Sequence, residues 1–433
     1  MFYNNKFIII TFGCKANKYE SAAIENQLEK LGHFLEKDAV LADLIIFNVC
    51  SVTQKAEKTC FSYVKKYFNP EKKIVITGCF SKNLKKKIIE LDENIILVPS
   101  KEKKDLVKKI FYQEFILAGS PKFHVEKFSK NVRAFVKIQD GCNKFCSYCI
   151  IPYLRGRVES RSIDDVVQEC EKLVKNGYNE IVLTGIDIGY FGFNTIGPNT
   201  KKGESLLELL KKLEKIEKLI RIRISSINPD DLKNNFDLLD YILNSKKVMP
   251  SLHISLQSGC DKILKLMNRK YSSFDFEKIS NYLYSKNPNF TITTDVIVGF
   301  PGEDEKDFED TISFVKKINF AKVHVFSYSK REGTKAYDME NQIDPKIKKY
   351  RLDKLIKISN EIAMSVKKEI LKFSQNHQIL IETKNATKGY FSGFIENYLK
   401  VKIYNENSIS RNEIIDIKLE KIENDQLIGK ILK

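Results

Sequence analysis

The stretch Ala134-Phe-Val-Lys-Ile-Gln-Asp-Gly-Cys142-Asn-Lys-Phe-Cys146-Ser-Tyr-Cys149 decides how the rest of the chain is read. Its first six residues are a short apolar-rich run of strand length, and three cysteines spaced C-x₃-C-x₂-C follow almost at once. Three thiolates on one loop can bind three irons of a cubane 4Fe–4S cluster, with no fourth cysteine to cap the last iron. An open coordination position separates a reactive centre from a structural one, as it does in zinc enzymes. A zinc knuckle or chance spacing is the competing reading of this motif taken alone.

Downstream, strand-like runs alternate with helical patterns. Ala134–Gln139, Glu180–Leu183, Ile220–Ser225, Leu252–Leu256, Thr291–Val298 and Lys322–Phe326 read as strands, and amphipathic stretches such as Ile163–Asn176 and Glu305–Lys317 lie between them. Six such units predict a (β/α)6 partial TIM barrel with its chemistry at the carboxyl ends of the strands. S-adenosylmethionine, through its amino and carboxylate groups, can chelate the uncapped iron. Thr184, Gly185, Ser225, Ser226 and Gln257 fall at strand ends and are the candidates for its pocket. Tyr148 inside the cysteine loop either packs on the cofactor's adenine or fills the core.

Upstream, Phe7–Phe12, Leu44–Val49, Ile74–Thr77 and Ile95–Val98 are buried-strand candidates, with helical patterns at Tyr19–Leu31, Thr53–Tyr67, Leu84–Leu91 and Lys101–Phe111. That alternation predicts an α/β, doubly wound parallel sheet covered on both faces. Cys14, Cys50 and Cys79 each follow or end one of the first three strands, two of them directly after Gly13 and Gly78. Carboxyl ends of neighbouring parallel strands are where open α/β domains bind ligands, so the three thiols are candidates for a second cluster site. Taken singly, each is as well explained as a small buried hydrophobe. Cys60, Cys170 and Cys260 lack such partners and are read as non-ligands. After a long helical pattern, short β-rich segments from Gln378 to Leu432 predict a small all-β barrel. The expected domains are 1–118, 128–360 and 368–433.

The chain has 433 residues, 42% hydrophobic and 30% charged, with nine cysteines and a formal charge of +17. No apolar run approaches the ~20 residues of a membrane span, and Phe7–Phe12 is too short for a secretory signal. A cytoplasmic location follows as the expectation, and there clustered cysteines are metal ligands or reactive thiols rather than disulfides. The positive charge suits a polyanionic partner, although a lysine-rich surface explains it equally well. The excess is densest between Lys82 and Arg133 and nearly nil in the C-terminal tail.

Several segments resemble the methylthiotransferase family of radical S-adenosylmethionine enzymes. Thr11-Phe-Gly-Cys14-Lys-Ala-Asn17-Lys-Tyr19-Glu20-Ser21 resembles the opening of the subfamily acting on N6-threonylcarbamoyladenosine, with Ala16 and Lys18 as departures. Asn48-Val-Cys50-Ser-Val-Thr53 and Thr77-Gly-Cys79 are similar to the family's other auxiliary-cluster segments, and Ile151-Pro-Tyr-Leu-Arg-Gly-Arg157 to the segment after the radical cluster. Leu256-Gln-Ser-Gly259, Asp295-Val-Ile-Val-Gly-Phe-Pro-Gly302 and Tyr328-Ser-Lys-Arg-Glu-Gly-Thr334 resemble later barrel motifs.

The resemblance implies two 4Fe–4S clusters, one on Cys14, Cys50 and Cys79 and one on Cys142, Cys146 and Cys149. It implies two equivalents of S-adenosylmethionine per turnover and transfer of a methylthio group to C2 of the modified adenosine 3′ to the tRNA anticodon. A radical is needed there because that C–H bond offers no simple polar route. The implied partners are the tRNA anticodon loop and an external reductant such as a flavodoxin or ferredoxin. The implied C-terminal module is an RNA-contacting TRAM barrel, with Glu396-Asn397-Tyr398 as its matching segment and Tyr390, Phe391, Phe394 or Tyr398 as stacking candidates. The same aromatics can instead fill its core. The alternatives are the same chemistry on isopentenyl-adenosine or on a ribosomal-protein aspartate, and, in a different class, a non-enzymatic RNA-binding metalloprotein.

Overall fold

A computed structural model describes residues 5–432 apart from 51–53, 130, 194–204, 374–375, 386, 388 and 405–408. Strands β1 (Lys6–Thr11), β2 (Phe34–Leu35), β3 (Leu44–Val49), β4 (Lys73–Gly78) and β5 (Ile96–Pro99) form one parallel sheet in the order β2-β1-β3-β4-β5. Every residue of β3 is buried, because apolar side chains leave it on both faces. Ile45, Phe47 and Val49 meet helices α2 (Gln54–Tyr67) and α3 (Lys82–Leu91), while Leu44 and Ile46 pack with Ile24 and Leu28 of α1 (Lys15–Lys30). A run of six apolar-rich residues with no polar face is what a doubly covered strand requires. The two-residue β2 is too short to announce itself in the sequence. The stretch Lys101–Phe111, expected as one helix, divides into a 3₁₀ turn at Ser100–Asp105 and a short helix at Leu106–Ile110.

The second unit is the open barrel. Its parallel strands Ala134–Lys137, Glu180–Thr184, Arg221–Ile224, Ser251–Ile254, Thr291–Val298 and Lys322–Ser327 follow one another in space. The sheet bends at Ser225, where the third strand hands over to Ser226–Ile227. Among the described residues no pairing joins the first strand to the last. Helix α1 joins the barrel's core through Tyr19, Ala22 and Ala23, so one helix serves two hydrophobic cores. No described helix is long and apolar enough to cross a membrane.

The last unit is a closed five-stranded barrel of Asn376–Asn385, Tyr390–Phe394, Lys400–Tyr404, Ile414–Glu423 and Gln426–Ile431. It sits against the amino-terminal ends of the large barrel's strands. Arg221 donates to the carbonyls of Phe394 and Gln378, and Arg223 to those of Ile395 and Glu396. The Glu396-Asn397-Tyr398 segment is therefore a joint between barrels. Of the four stacking candidates, Phe391 lies in the small core. Phe394 and Tyr398 stack on each other at 4.6 Å with Arg133 over both rings, leaving Tyr390 beside Tyr404.

Candidate active site

Sheet order reverses between β1 and β3, and such a switch point opens a crevice at the carboxyl ends of the strands. Cys14 follows β1, Cys50 follows β3 and Cys79 follows β4, and these three strands are neighbours. Ser51, Val52 and Thr53 of the second motif lie outside the described residues. Gly13, at φ +99°, lets the chain pass so close to Cys50 that an added Cβ would lie 2.9 Å from its Sγ. Gly78, at φ +106°, lies against the backbone of Val49, and the Cys79 amide donates to the Val49 carbonyl at 3.1 Å. The chain thus gathers the three cysteines at one sheet edge. Cys14 caps α1, whose first turn carries no acidic residue, so its sulfur sits at the positive end of that helix.

The Cys142 loop is tied down by backbone and side-chain bonds on each side. Cys142 donates its amide to Gly156 at 3.1 Å and Ser147 donates to Met267 at 3.0 Å. Asn268 Nδ2 reaches the Phe145 carbonyl at 3.0 Å. Burial and the neighbouring Cys146, with Cys79 as a further like charge, push the Cys149 thiol up to about 12. A thiol held that high is a thiolate at neutral pH only once a metal takes it. Among the described residues no three His, Cys, Asp or Glu side chains converge where one metal ion would sit. A cubane asks for something else, since each thiolate takes a different iron.

Arg155 joins the two trios. It lies six residues beyond Cys149, at the end of the short helix Ile151–Arg155, and is buried. Its Nε donates to Cys79 Sγ at 3.1 Å, while its other nitrogens reach Glu20 at 2.8 Å, Asn17 Oδ1 at 2.7 Å and Asp140 at 2.9 Å. Lys103 and Lys137 also bind Glu20, and Lys137 binds Asp140 at 2.8 Å. Burial opposes ionisation of Glu20, yet Arg155, Lys103 and Lys137 hold its carboxyl well below the usual range. Three cations meet two carboxylates in this network, so one positive charge is left to face Cys79. An iron-bound thiolate supplies the missing negative charge, and on that count the donor set fits a cluster.

The other trio has its own guanidinium. Arg269 Nη1 donates to Cys146 Sγ at 3.1 Å. On the far side Lys144 binds Asp230 at 2.7 Å and Asp231 at 2.6 Å, with Asp187 at 3.9 Å and 3.5 Å from Cys142 Sγ. Burial, reinforced by Asp187, pushes the Asp231 carboxyl up to about 7. One lysine does not balance three carboxylates, and Asp230 Oδ1 and Asp231 Oδ2 are buried with no hydrogen-bond partner among the described residues. A cationic ligand suits such a corner, and S-adenosylmethionine carries a sulfonium.

The pocket candidates divide. Ser225 Oγ is buried and unpartnered among the described residues, as a ligand-facing hydroxyl would be. Thr184 is buried at its strand end, and Ser226 is exposed. Gly185 is packed against Gln139, whose Oε1 accepts from the Ile186 and Asp187 amides at 2.9 and 2.7 Å. Gln257, at φ +69°, is fixed by its backbone to Asp295 at 2.8 Å. Tyr148 stands edge-on to Phe300 at 6.4 Å, against the apolar group of Cys260, Met267 and Tyr328. Cys60 and Cys170 lie in hydrophobic cores.

Residues 136–315 match the model of the Radical SAM superfamily, and residues 6–99 match Uncharacterized protein family UPF0004. The threonylcarbamoyladenosine tRNA methylthiotransferase MtaB of Chlamydia pneumoniae is 38% identical over 431 residues, 98% of each chain. This chain belongs to the radical SAM methylthiotransferase family. Its relatives include MtaB of Thermotoga maritima, 38% identical and covered over 90% of each chain. A tRNA-2-methylthio-N(6)-dimethylallyladenosine synthase of Carboxydothermus hydrogenoformans is 34% identical over 95% of this chain and 96% of its own. The radical S-adenosylmethionine methyltransferase TsrM of Kitasatospora setae shares the fold, with a TM-score of 0.56 at 12% identity over 77% of each chain. Relatives of similar identity thus differ in the modified adenosine their names specify.

Proposed function

We propose that this chain transfers a methylthio group to C2 of N6-threonylcarbamoyladenosine in tRNA, with Cys142, Cys146 and Cys149 holding one 4Fe–4S cluster and Cys14, Cys50 and Cys79 the other. The observation that carries the reading is Arg155, which ends the short helix after the loop of one trio and donates to a sulfur of the other. When bound, the clusters and S-adenosylmethionine supply the electron, the radical and the sulfur that substitution at an unactivated aromatic C–H demands. The protein's own part is positioning and charge. Arg155 and Arg269 each set a guanidinium against one sulfur. Asp230 and Asp231 offer carboxylate oxygens to the sulfonium of S-adenosylmethionine, and the buried Ser225 hydroxyl is a neutral donor. The target base leaves its loop to reach the site, as single-stranded RNA readily permits. The work is done in the cytoplasm with an electron from a flavodoxin or ferredoxin.

Replacing single ligands tests this. Cys146→Ala abolishes 5′-deoxyadenosine formation, whereas Cys50→Ala keeps uncoupled cleavage of S-adenosylmethionine and loses methylthiolated tRNA. Mass spectrometry of the nucleosides reads both, and methylthiolated product from the Cys50 variant overturns the assignment of the second trio.

A further inference from the structure

A cavity of about 550 Å³ lies inside the large barrel, within the size range of small-molecule sites. Its wall includes Lys15, Arg223, His253, Thr293, Lys322 and His324, and Asn397 and Tyr398 of the small barrel close its floor. Lys15 directly follows Cys14 in the chain, so one wall residue of this cavity is the neighbour of a member of the first cysteine trio.

Most of its polar groups are already engaged. Arg223 is bound to Glu180 at 2.8 Å and to two carbonyls. His253 is held between Thr293 at 3.0 Å and Asp295 at 3.1 Å, with the ring of His324 5.8 Å away. Lys15, Lys322 and Lys400 are different: among the described residues none of the three has an ion pair or a side-chain hydrogen bond. Glu180 and Asp295 are committed elsewhere, so three lysine charges border the cavity without a carboxylate to answer them. A hydrocarbon substituent would have to desolvate those ammonium groups and give nothing back. An anion answers them.

The two nucleosides named among the relatives differ in this respect. A threonylcarbamoyl group ends in a carboxylate and carries a hydroxyl, while a dimethylallyl group is hydrocarbon. We infer that Lys15, with Lys322, binds the carboxylate of the threonylcarbamoyl group and so selects that nucleoside over a dimethylallyl one. The inference rests on the substrate reading above and assigns its specificity to a residue beside the first cluster cysteine.

The test uses the full chain, loaded with its clusters, and anticodon stem-loop RNAs differing only at the modified adenosine: threonylcarbamoyl, its neutral carboxamide, dimethylallyl, or unmodified. Dissociation constants are measured by fluorescence anisotropy. The native protein binds the carboxylate RNA at least about tenfold tighter than the carboxamide, the scale of one charge-assisted hydrogen bond. Lys15→Gln brings that ratio near one and leaves the unmodified RNA within about twofold, and Lys15→Arg restores the preference. Iron content and melting temperature identify a variant that has simply misfolded, and Lys322→Gln then supplies a second, independent reading. Equal weakening of all four RNAs by Lys15→Gln reveals a phosphate contact and overturns the inference. A native preference for the threonylcarbamoyl RNA that survives both substitutions overturns it too while sparing the substrate reading. A native preference for the dimethylallyl RNA sinks the substrate reading itself.

Discussion

Glu20→Gln removes one charge from the interior and almost no volume, so it isolates the electrostatics of the joint between the first two units. Glu20 and Lys103 have side chains 1% and 2% exposed, and Arg155 is 1% exposed. The native network sets Lys103, Lys137 and Arg155 against Glu20 and Asp140. The variant leaves three cations to one carboxylate. Removing one partner of a buried ion pair costs about 3–5 kcal/mol. At about 1.4 kcal/mol per decade, that raises the population of open states around α1 by roughly two to four decades. The melting temperature of the unit falls by about 6–20 °C, taking roughly 2–4 °C per kcal/mol. Hydrogen exchange of peptides covering Lys15–Lys30 and Ile151–Arg155 reads the first number and calorimetry the second. The pH dependence has a definite sign. The Glu20 carboxyl is held well below its ordinary 4.5, so its stabilisation is complete above that pH and drains away as the pH falls through the lower folded value. The Asp140 carboxyl, which Arg155 and Lys137 hold at about 2 against its burial, behaves likewise between its ordinary 3.8 and that value. Glu20→Gln lacks its part of this acid limb. A variant within about 0.5 kcal/mol of the native protein, with the limb intact, would refute the reasoning.

Gly78→Ala places a Cβ 2.4 Å from the Val49 carbonyl oxygen at φ +106°, so the chain end carrying Cys79 must shift. About half the iron is lost from the reconstituted protein while 5′-deoxyadenosine formation persists, as elemental analysis and chromatography will show. Arg155→Met keeps the bulk and removes the donor to Cys79; iron is lost from that trio first, with chelator-release kinetics as the readout. Arg223→Ala leaves Glu180 buried without its closest cation and frees the carbonyls of Ile395 and Glu396. The small barrel then loosens, and limited proteolysis cuts within Asn376–Ile431 faster than in the native chain.

Strands with both faces covered were legible as unbroken apolar runs, and β3 was read to the residue as Leu44–Val49. Cysteine spacing marked the loop trio, and strand ends marked the other. Helix α1 was opaque in a different way. Asn17, Glu20, Ser21, Asn26 and Gln27 are polar residues, and all five are buried. Their burial is licensed by partners far along the chain: Lys103, Lys137 and Arg155 stand 83, 117 and 135 residues from Glu20. Local pattern carries no trace of such pairs. Arg155 itself lies within Ile151-Pro-Tyr-Leu-Arg-Gly-Arg157, a segment similar to the family's, and only its position shows what it touches. The aromatic residues of the small barrel failed for a related reason, since stacking on Arg133 and stacking on a base leave the same residues in the sequence.

The most direct measurement combines Cys14→Ala, Cys50→Ala and Cys79→Ala in one protein and follows iron, 5′-deoxyadenosine and tRNA nucleosides after anaerobic reconstitution. The account predicts about half the native iron, continued cleavage of S-adenosylmethionine, and threonylcarbamoyladenosine left without a methylthio group. Native iron content, or methylthiolated tRNA from that protein, would contradict it.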